Sequence, residues 1–458
     1  MDGCAAEAGT LVTARIESLG YGGAGIARVE GRMLRVPRAL PGELVRAEVV
    51  RARGHRIDAA LVEVLEPAAE RVPAPCPHFQ HCGGCTFMHL APVHQQADKV
   101  ARLRQRLARA FGEGMTSLLR PLVASPGHEH FRNRASFVVR DGRLGMTDPA
   151  RRTLAPVTSC LVAQPGIDAL LAKLHQWLAQ APAAHAALLR GVILRAGIEH
   201  DMAILALDPA AGLPPADAAG SQPAVSEWLQ GLAATLAPAS SWATTQHDAH
   251  HGLLGSDLVH LHGSQRIRQR IGRFVLELSP TSFAQSNPDL AAILYVDVVD
   301  SLALQPGERV LDLFSGSGGL ALHLGSRGHP VHGVELDRFA AADATASALA
   351  NGLDQVRVQA GKAERACEKL WRKQQRFDVA TLNPPRSGMP RDLAPRLAPL
   401  GIRRLALVSC SPATLVNDLA ALQAHGYRAT SITPYDMFPH TSHLETHVAL
   451  ERLAQPQP

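Results

Sequence analysis

The C-terminal third of this chain constrains its fold more than any other stretch. Residues 309–314 (RVLDLF) form an apolar run of strand length, followed by the glycine-rich turn SGSGG at 315–319 and a helical pattern. Residues 330–335 (PVHGVE) form a second strand ending in a carboxylate. Residues 377–382 (FDVATL) form a third, ending at NPPR, and residues 405–409 (LALVS) a fourth, ending at Cys410. Strands alternating with helices predict a doubly wound parallel sheet, an α/β fold whose ligands bind beyond the carboxyl ends of the strands. The glycine turn, Glu335, Asn383 and Cys410 all fall at such ends.

The glycine turn does not complete the G-x-G-x-x-G pattern of dinucleotide binders, so it fits a single nucleoside cofactor better than NAD. The pattern D-x-F-x-G-x-G, with Glu335 placed 23 residues after Asp312 to hold ribose hydroxyls, points to S-adenosylmethionine. At Cys410 a strand stops, and Ser411-Pro412 opens a helical pattern (Leu415, Leu419, Leu422). Serine suits a helix cap and proline the first turn. Nearby backbone N–H groups and the helix dipole favour a thiolate. Taken alone, the stretch reads equally as a nucleophile or a buried core cysteine. The NPPR turn lacks the aromatic fourth residue of enzymes that methylate exocyclic amines, for which a cysteine nucleophile would be superfluous. Methylating ring carbon 5 of a pyrimidine requires one, because that carbon is unreactive until a thiolate adds to carbon 6. A base must then remove the carbon 5 proton. Glu445 is the first candidate and His443 the second.

The remainder of the 458 residues divides into two further units. Residues 10–65 carry short alternating strands at 11–16, 32–36, 44–50 and 58–64, with turns at 20–25 and 41–43, which predicts a small barrel. Its arginines (Arg28, Arg32, Arg35, Arg38, Arg51, Arg53, Arg56) suit a groove for single-stranded nucleic acid or a solvated surface. Next, CPHFQHCGGC (76–85) spaces Cys76, Cys82 and Cys85 around one centre, with Cys160 as the fourth ligand. A zinc site drawing on His78, His81 or His89 and an iron–sulfur cluster are both open, and three clustered cysteines with a distant fourth favour the cluster. A helix over 95–111 puts Val100, Leu103, Leu107 and Phe111 on its apolar face, with Lys99, Arg102, Arg104, Arg106 and Arg109 on a solvated one. Along 131–139 (FRNRASFVV) alternation sets Arg132 and Arg134 on one strand face, suited to phosphates or bases. Helix 166–179 and strands 191–196, 202–207 and 273–278 follow. Residues 210–224 read as a surface insertion, and the histidines from His247 to His262 as surface imidazoles. The net charge of +5 permits a polyanionic partner. No stretch has transmembrane length and no signal-peptide core is evident, so a cytoplasmic protein is expected.

With these motifs in place, VSCSPAT (408–414), DMFPHTSHLE (436–445) and SFAQSNP (282–288) resemble the RNA uracil-5-methyltransferase family, which modifies tRNA and 23S rRNA. Residues 10–65, with LPGE at 40–43, resemble a TRAM domain. The resemblance runs from the barrel to the C-terminus. It implies a TRAM-like, OB-like β-barrel over 8–66 and a mixed α+β central RNA-binding domain with an iron–sulfur site over 67–280. Residues 281–458 would be a Rossmann-like class I methyltransferase domain. Carried over by position, Cys410 would be the nucleophile and Glu445 the general base. Gln285, Phe314, Glu335 and Asn383 would contact S-adenosyl-L-methionine, and Cys76, Cys82, Cys85 and Cys160 would hold a 4Fe-4S cluster. The expected partner is RNA, 23S rRNA ahead of tRNA, for a monomer without membrane contact. Two alternatives are the same fold acting on another base or on tRNA, and a catalytically silent RNA-binding or iron–sulfur sensor protein. The chain departs from the family at Ser315 and Ser411, where cysteine and asparagine are usual, and at Asn383, where many members have aspartate.

Overall fold

The computed structural model describes residues 7–20, 22–213, 226–246, 253–255 and 257–453. The insertion expected at 210–224 lies outside them from residue 214 on, as do His247, His250 and His251. Among the described residues no helix is long and apolar enough to cross a membrane.

Six N-terminal strands (Leu11–Arg15, Ser18–Leu19, Gly25–Val29, Arg32–Val36, Leu44–Arg53 and Arg56–Glu66) make one sheet around buried Ile16, Leu34, Val45 and Ile57. The strand at Gly25–Val29 replaces part of an expected turn. A side chain at Gly25 would come within 2.8 Å of the Ala39 carbonyl, so this glycine marks a close backbone approach rather than a turn. Two arginine readings change as well. Arg38 is buried and donates to the carbonyls of Phe79 (2.7 Å) and Cys82 (3.2 Å), clamping the cysteine-rich loop instead of lining a groove. Arg35, Arg51 and Arg56 converge on Asp58.

The central sheet runs, in spatial order, Leu258–His262, Ser240–Thr245, Met202–Leu207, Leu189–Arg195, Arg134–Arg140, Arg143–Thr147 and Leu154–Pro156. Helices Pro165–Gln180 and Glu227–Leu236 share one core with it. Ile193, Met202 and Ile204 instead share a core with Leu290, Leu294 and Val310 of the C-terminal part.

The C-terminal sheet has the spatial order Val356–Ala360, Val331–Glu335, Val310–Leu313, Val379–Leu382, Arg404–Ser409, Glu445–Arg452, Tyr427–Tyr435. The first five strands are parallel and the last two pairings antiparallel. Strand order reverses between Val310–Leu313 and Val379–Leu382, and such a switch point opens a crevice at the carboxyl ends. Helix Pro92–Phe111 packs on this sheet, with Leu103 and Leu107 fully buried in its core as the apolar pattern predicts. Lys99 departs from the expected solvated face. It is buried and pairs with Asp436 at 2.5 Å, because the loop 436–444 closes over that side of the helix.

Candidate active site

The antiparallel register of Arg404–Ser409 against Glu445–Arg452 ends with Ser409 opposite Thr446. Cys410 directly follows Ser409 and Glu445 directly precedes Thr446, and the thiol and the carboxylate lie close enough for their charges to interact. Ser411 caps the helix Pro412–Ala424 by accepting from the Thr414 N–H, and Pro412 occupies its first turn. The cap therefore forms as the sequence predicts, but its expected effect on the thiol does not follow. Burial raises the Cys410 pKa and the neighbouring Glu445 charge raises it further, while Arg386, within hydrogen-bonding reach, works against both. Low dielectric, with a carboxylate second, is what raises the thiol. Glu445 is itself buried, which pushes its pKa up to about 8, again opposed by Arg386. His443, the second candidate base, is held by burial at about 4. Arg386 is the residue sequence reasoning passed over. It was read only as a missing aromatic, although its place directly after the strand-end NPP could have marked it.

At the next strand end, both Glu335 oxygens accept backbone N–H groups, from Gly316 (2.8 Å) and Asp337 (2.9 Å). A carboxylate has about four acceptor positions, so ribose hydroxyls can still be held. Phe314 sits at φ +62°, a conformation that costs free energy in a non-glycine residue and recurs at ligand sites. Asp312 beneath it is fully buried. Its Oδ1 accepts from Thr381 at 2.6 Å, its Oδ2 has no partner, and burial pushes its pKa up to about 6. Asn383 follows strand Val379–Leu382, its N–H bonded to the Leu313 carbonyl.

The loop bearing Gln285 is fixed from two sides. Asp343 accepts from the Ser279 N–H (2.6 Å), the Ser279 hydroxyl (2.8 Å) and the Ser282 hydroxyl. Ser317 of the glycine turn donates to the Phe283 carbonyl at 2.9 Å. Gln285 is buried, and Asn133 donates to its carbonyl at 3.1 Å. The loop at 436–444 is tied to helix Pro92–Phe111 by Lys99 and by Gln95, whose side chain accepts from the His440 N–H at 3.0 Å. Asn287 adds a bond to the Met437 carbonyl.

Cys76, Cys82, Cys85 and Cys160 line one cavity of about 60 Å³, together with Arg132 and His78. The distant Cys160 thus lines the same cavity as the three clustered cysteines. Burial, helped by the neighbouring thiols, pushes Cys82 to about 11 and Cys85 to about 12. Burial also raises Cys160. Among the described residues no group of three or more His, Cys, Asp or Glu side chains is set to hold a metal ion. His81 is drawn to Asp148 instead, and His89 is buried against Phe79. Arg132 stands over Phe438, 5.8 Å from the ring centroid, and so connects this cavity to the loop that leads to Glu445.

Comparison with known proteins agrees with this layout. The family profile of tRNA (uracil-5-)-methyltransferases matches residues 264–453, and that of the TRAM domain matches residues 5–62. A 23S rRNA (uracil(1939)-C(5))-methyltransferase RlmD from Alkalilimnicola ehrlichii is 33% identical over 96% of this chain and 96% of its own length. The enzyme of that name from Shewanella sp. is 30% identical over 96% of this chain and 95% of its own length. The crystal structure of Pyrococcus abyssi tRNA (uracil-54, C5)-methyltransferase in complex with S-adenosyl-L-homocysteine superposes with a TM-score of 0.71. It is 22% identical, with 96% of this chain and all of that one covered.

Proposed function

Since the chain belongs to the RNA uracil-5-methyltransferase family and is an S-adenosylmethionine-dependent enzyme of it, we propose that it methylates carbon 5 of one uridine in 23S rRNA. The relatives at 30% identity or more that are described above are named for uracil 1939 of that RNA, and the corresponding uridine is the proposed target. The single observation that carries the chemistry is the approach of Cys410, Glu445 and Arg386 at one strand end. In this reading Cys410, as a thiolate favoured by Arg386, adds to carbon 6 and makes carbon 5 nucleophilic. S-adenosylmethionine supplies the methyl group. Glu445 accepts the proton that carbon 5 then loses, and reversal of the carbon 6 addition returns the thiolate. A pKa near 8 suits a group that must take up a proton and release it at neutral pH.

For the cofactor, Glu335 would hold the ribose hydroxyls, with Phe314, Gln285 and Asn383 around the remainder. The buried, unpartnered Asp312 Oδ2 and the positive φ of Phe314 support a ligand at that turn. The four cysteines suit a 4Fe-4S cluster better than one zinc ion. Three clustered cysteines with a distant fourth support that reading, and all four line one cavity. A cluster would take the thiols as thiolates and pin the central sheet to the cysteine loop, with Arg132 as counter-charge. The proposed units are an RNA-binding barrel at 8–66, a central RNA-binding domain at 67–280 and the methyltransferase domain at 281–458.

Nucleoside analysis of rRNA and tRNA from a deletion strain tests the assignment. Loss of 5-methyluridine at one 23S rRNA position is expected. Unchanged 5-methyluridine at every site would refute it, and loss from tRNA alone would move the substrate.

A further inference from the structure

Two neighbouring arginines of the central sheet, Arg195 fully buried and Arg134 half-buried, form no ion pair among the described residues. Arg195 and Arg134 are register partners on adjacent strands. Arg195 is satisfied in part, its Nη1 donating to the carbonyls of Ser279 (2.9 Å) and Pro280 (3.3 Å). Arg134 has a buried Nε without a partner, and nothing offsets the burial that lowers its pKa. A charge kept in such a place is costly unless something supplies what the protein does not.

Arg134 opens onto a groove of about 530 Å³ walled by Ser136, Met146, Ile193, Leu253 and Leu254. Arg134 and Ser136 alternate along one strand and so present polar donors on one face; Gly83 and Thr147 add to the lining, and the remaining walls are apolar. This combination suits a flat base, which packs against aliphatic side chains and offers acceptors at its edge. It suits a phosphate poorly, since the apolar walls would strip its hydration. Arg132, two residues earlier and just ahead of that strand, stands 5.8 Å from the ring centroid of Phe438 in the loop leading to Glu445. Arg134 is therefore two residues from a side chain that touches the loop leading to the proposed site of reaction.

We propose that this groove holds an unstacked base of the RNA substrate flanking the target uridine, with Arg134 donating to its acceptor edge. The two acceptors of guanine, O6 and N7, match a guanidinium fork best. The inference rests on the RNA methyltransferase reading and names a second point of sequence recognition for it.

The test uses the full-length protein, its Arg134→Met variant and a 23S rRNA fragment containing the target. The variant should melt no lower than the parent, because Arg134 forms no ion pair among the described residues and its Nε has no partner. Its dissociation constant should rise roughly tenfold, the scale of one bidentate base contact, and KM should rise with it. With RNAs abasic at successive flanking positions, the parent should lose affinity at one position where the variant loses none. A variant that binds every RNA as the parent does would overturn the proposal, as would weakened binding matched by a lower melting temperature. A salt slope smaller by about 0.7 would also overturn it, since that marks a lost phosphate contact. If the parent methylates no RNA, it is the functional reading that fails instead.

Discussion

Cys410 and Glu445 flank the Ser409–Thr446 pair that ends the register of their strands, and their charges are coupled at this buried strand end. Removing the carboxylate should therefore have two opposite effects. In Glu445→Gln the Cys410 thiol becomes more acidic, and iodoacetamide should alkylate it several-fold faster at pH 8. Turnover should fall by about 10²–10⁴-fold, the usual contribution of a general base. Methylated RNA should stay covalently attached to Cys410, as a protein band of increased mass in denaturing gels. Faster alkylation without a trapped adduct would assign the proton transfer to another group.

The pH dependence follows from the same pair. Both the thiol and Glu445 are raised by burial, so kcat/KM should climb as pH rises through about 8. Stability should move the other way. The Glu445 pKa lies above its unfolded value of 4.5, so the folded state binds more protons than the unfolded state between the two values. Its contribution is intact below 4.5 and is lost as pH rises through about 8. Glu445→Gln should melt with the parent at pH 4 and above it at pH 9. Parallel melting curves at both pH values would remove the carboxyl from this role.

Arg386 is the one group that lowers both pKa values. Arg386→Met should raise the thiol pKa further and slow adduct formation about tenfold or more at pH 7. Higher pH should restore part of the rate, because it supplies the missing thiolate. A loss independent of pH would mean that Arg386 contacts RNA rather than setting the nucleophile.

The four-cysteine cavity makes a prediction of its own. Protein purified without oxygen should absorb visible light and release acid-labile sulfide, and Cys85→Ser should lose both. The variant should also lose stability, since Arg38 and the cysteine loop are held together over that cavity. A colourless protein carrying one zinc ion would favour the alternative metal.

The parallel sheet, the capped helix after Cys410 and the convergence of the four cysteines were legible because each follows from local pattern. Apolar runs, cap residues and cysteine spacing carry their own signal. The sign of the Cys410 pKa shift was not legible. It depends first on burial and then on Glu445, which stands 35 positions later in the chain and becomes a neighbour only through strand pairing. Arg386 could be singled out by its place after NPP, but its effect on the thiol could not, because that requires two adjacent strand ends. The strand at Gly25–Val29 was missed because a glycine needed for close packing looks the same in sequence as one needed for a turn.

Lys99 was the largest misreading, and it yields the sharpest stability prediction. It lies within a run of basic residues on a helix, yet it is buried against Asp436 and also donates to the Phe438 carbonyl at 3.0 Å. Burial lowers its pKa, and Asp436 opposes that shift. Lys99→Met would leave Asp436 buried without its partner, at a cost of about 3–5 kcal/mol. Urea unfolding should show that loss, while the double variant Lys99→Met/Asp436→Leu should recover much of it. Because the loop that leads to Glu445 hangs from this pair, the single variant should also lose activity beyond its loss of folded protein. Recovery of stability without recovery of methylation in the double variant would show that the pair serves the loop's geometry. Recovery of both would reduce it to a structural contact.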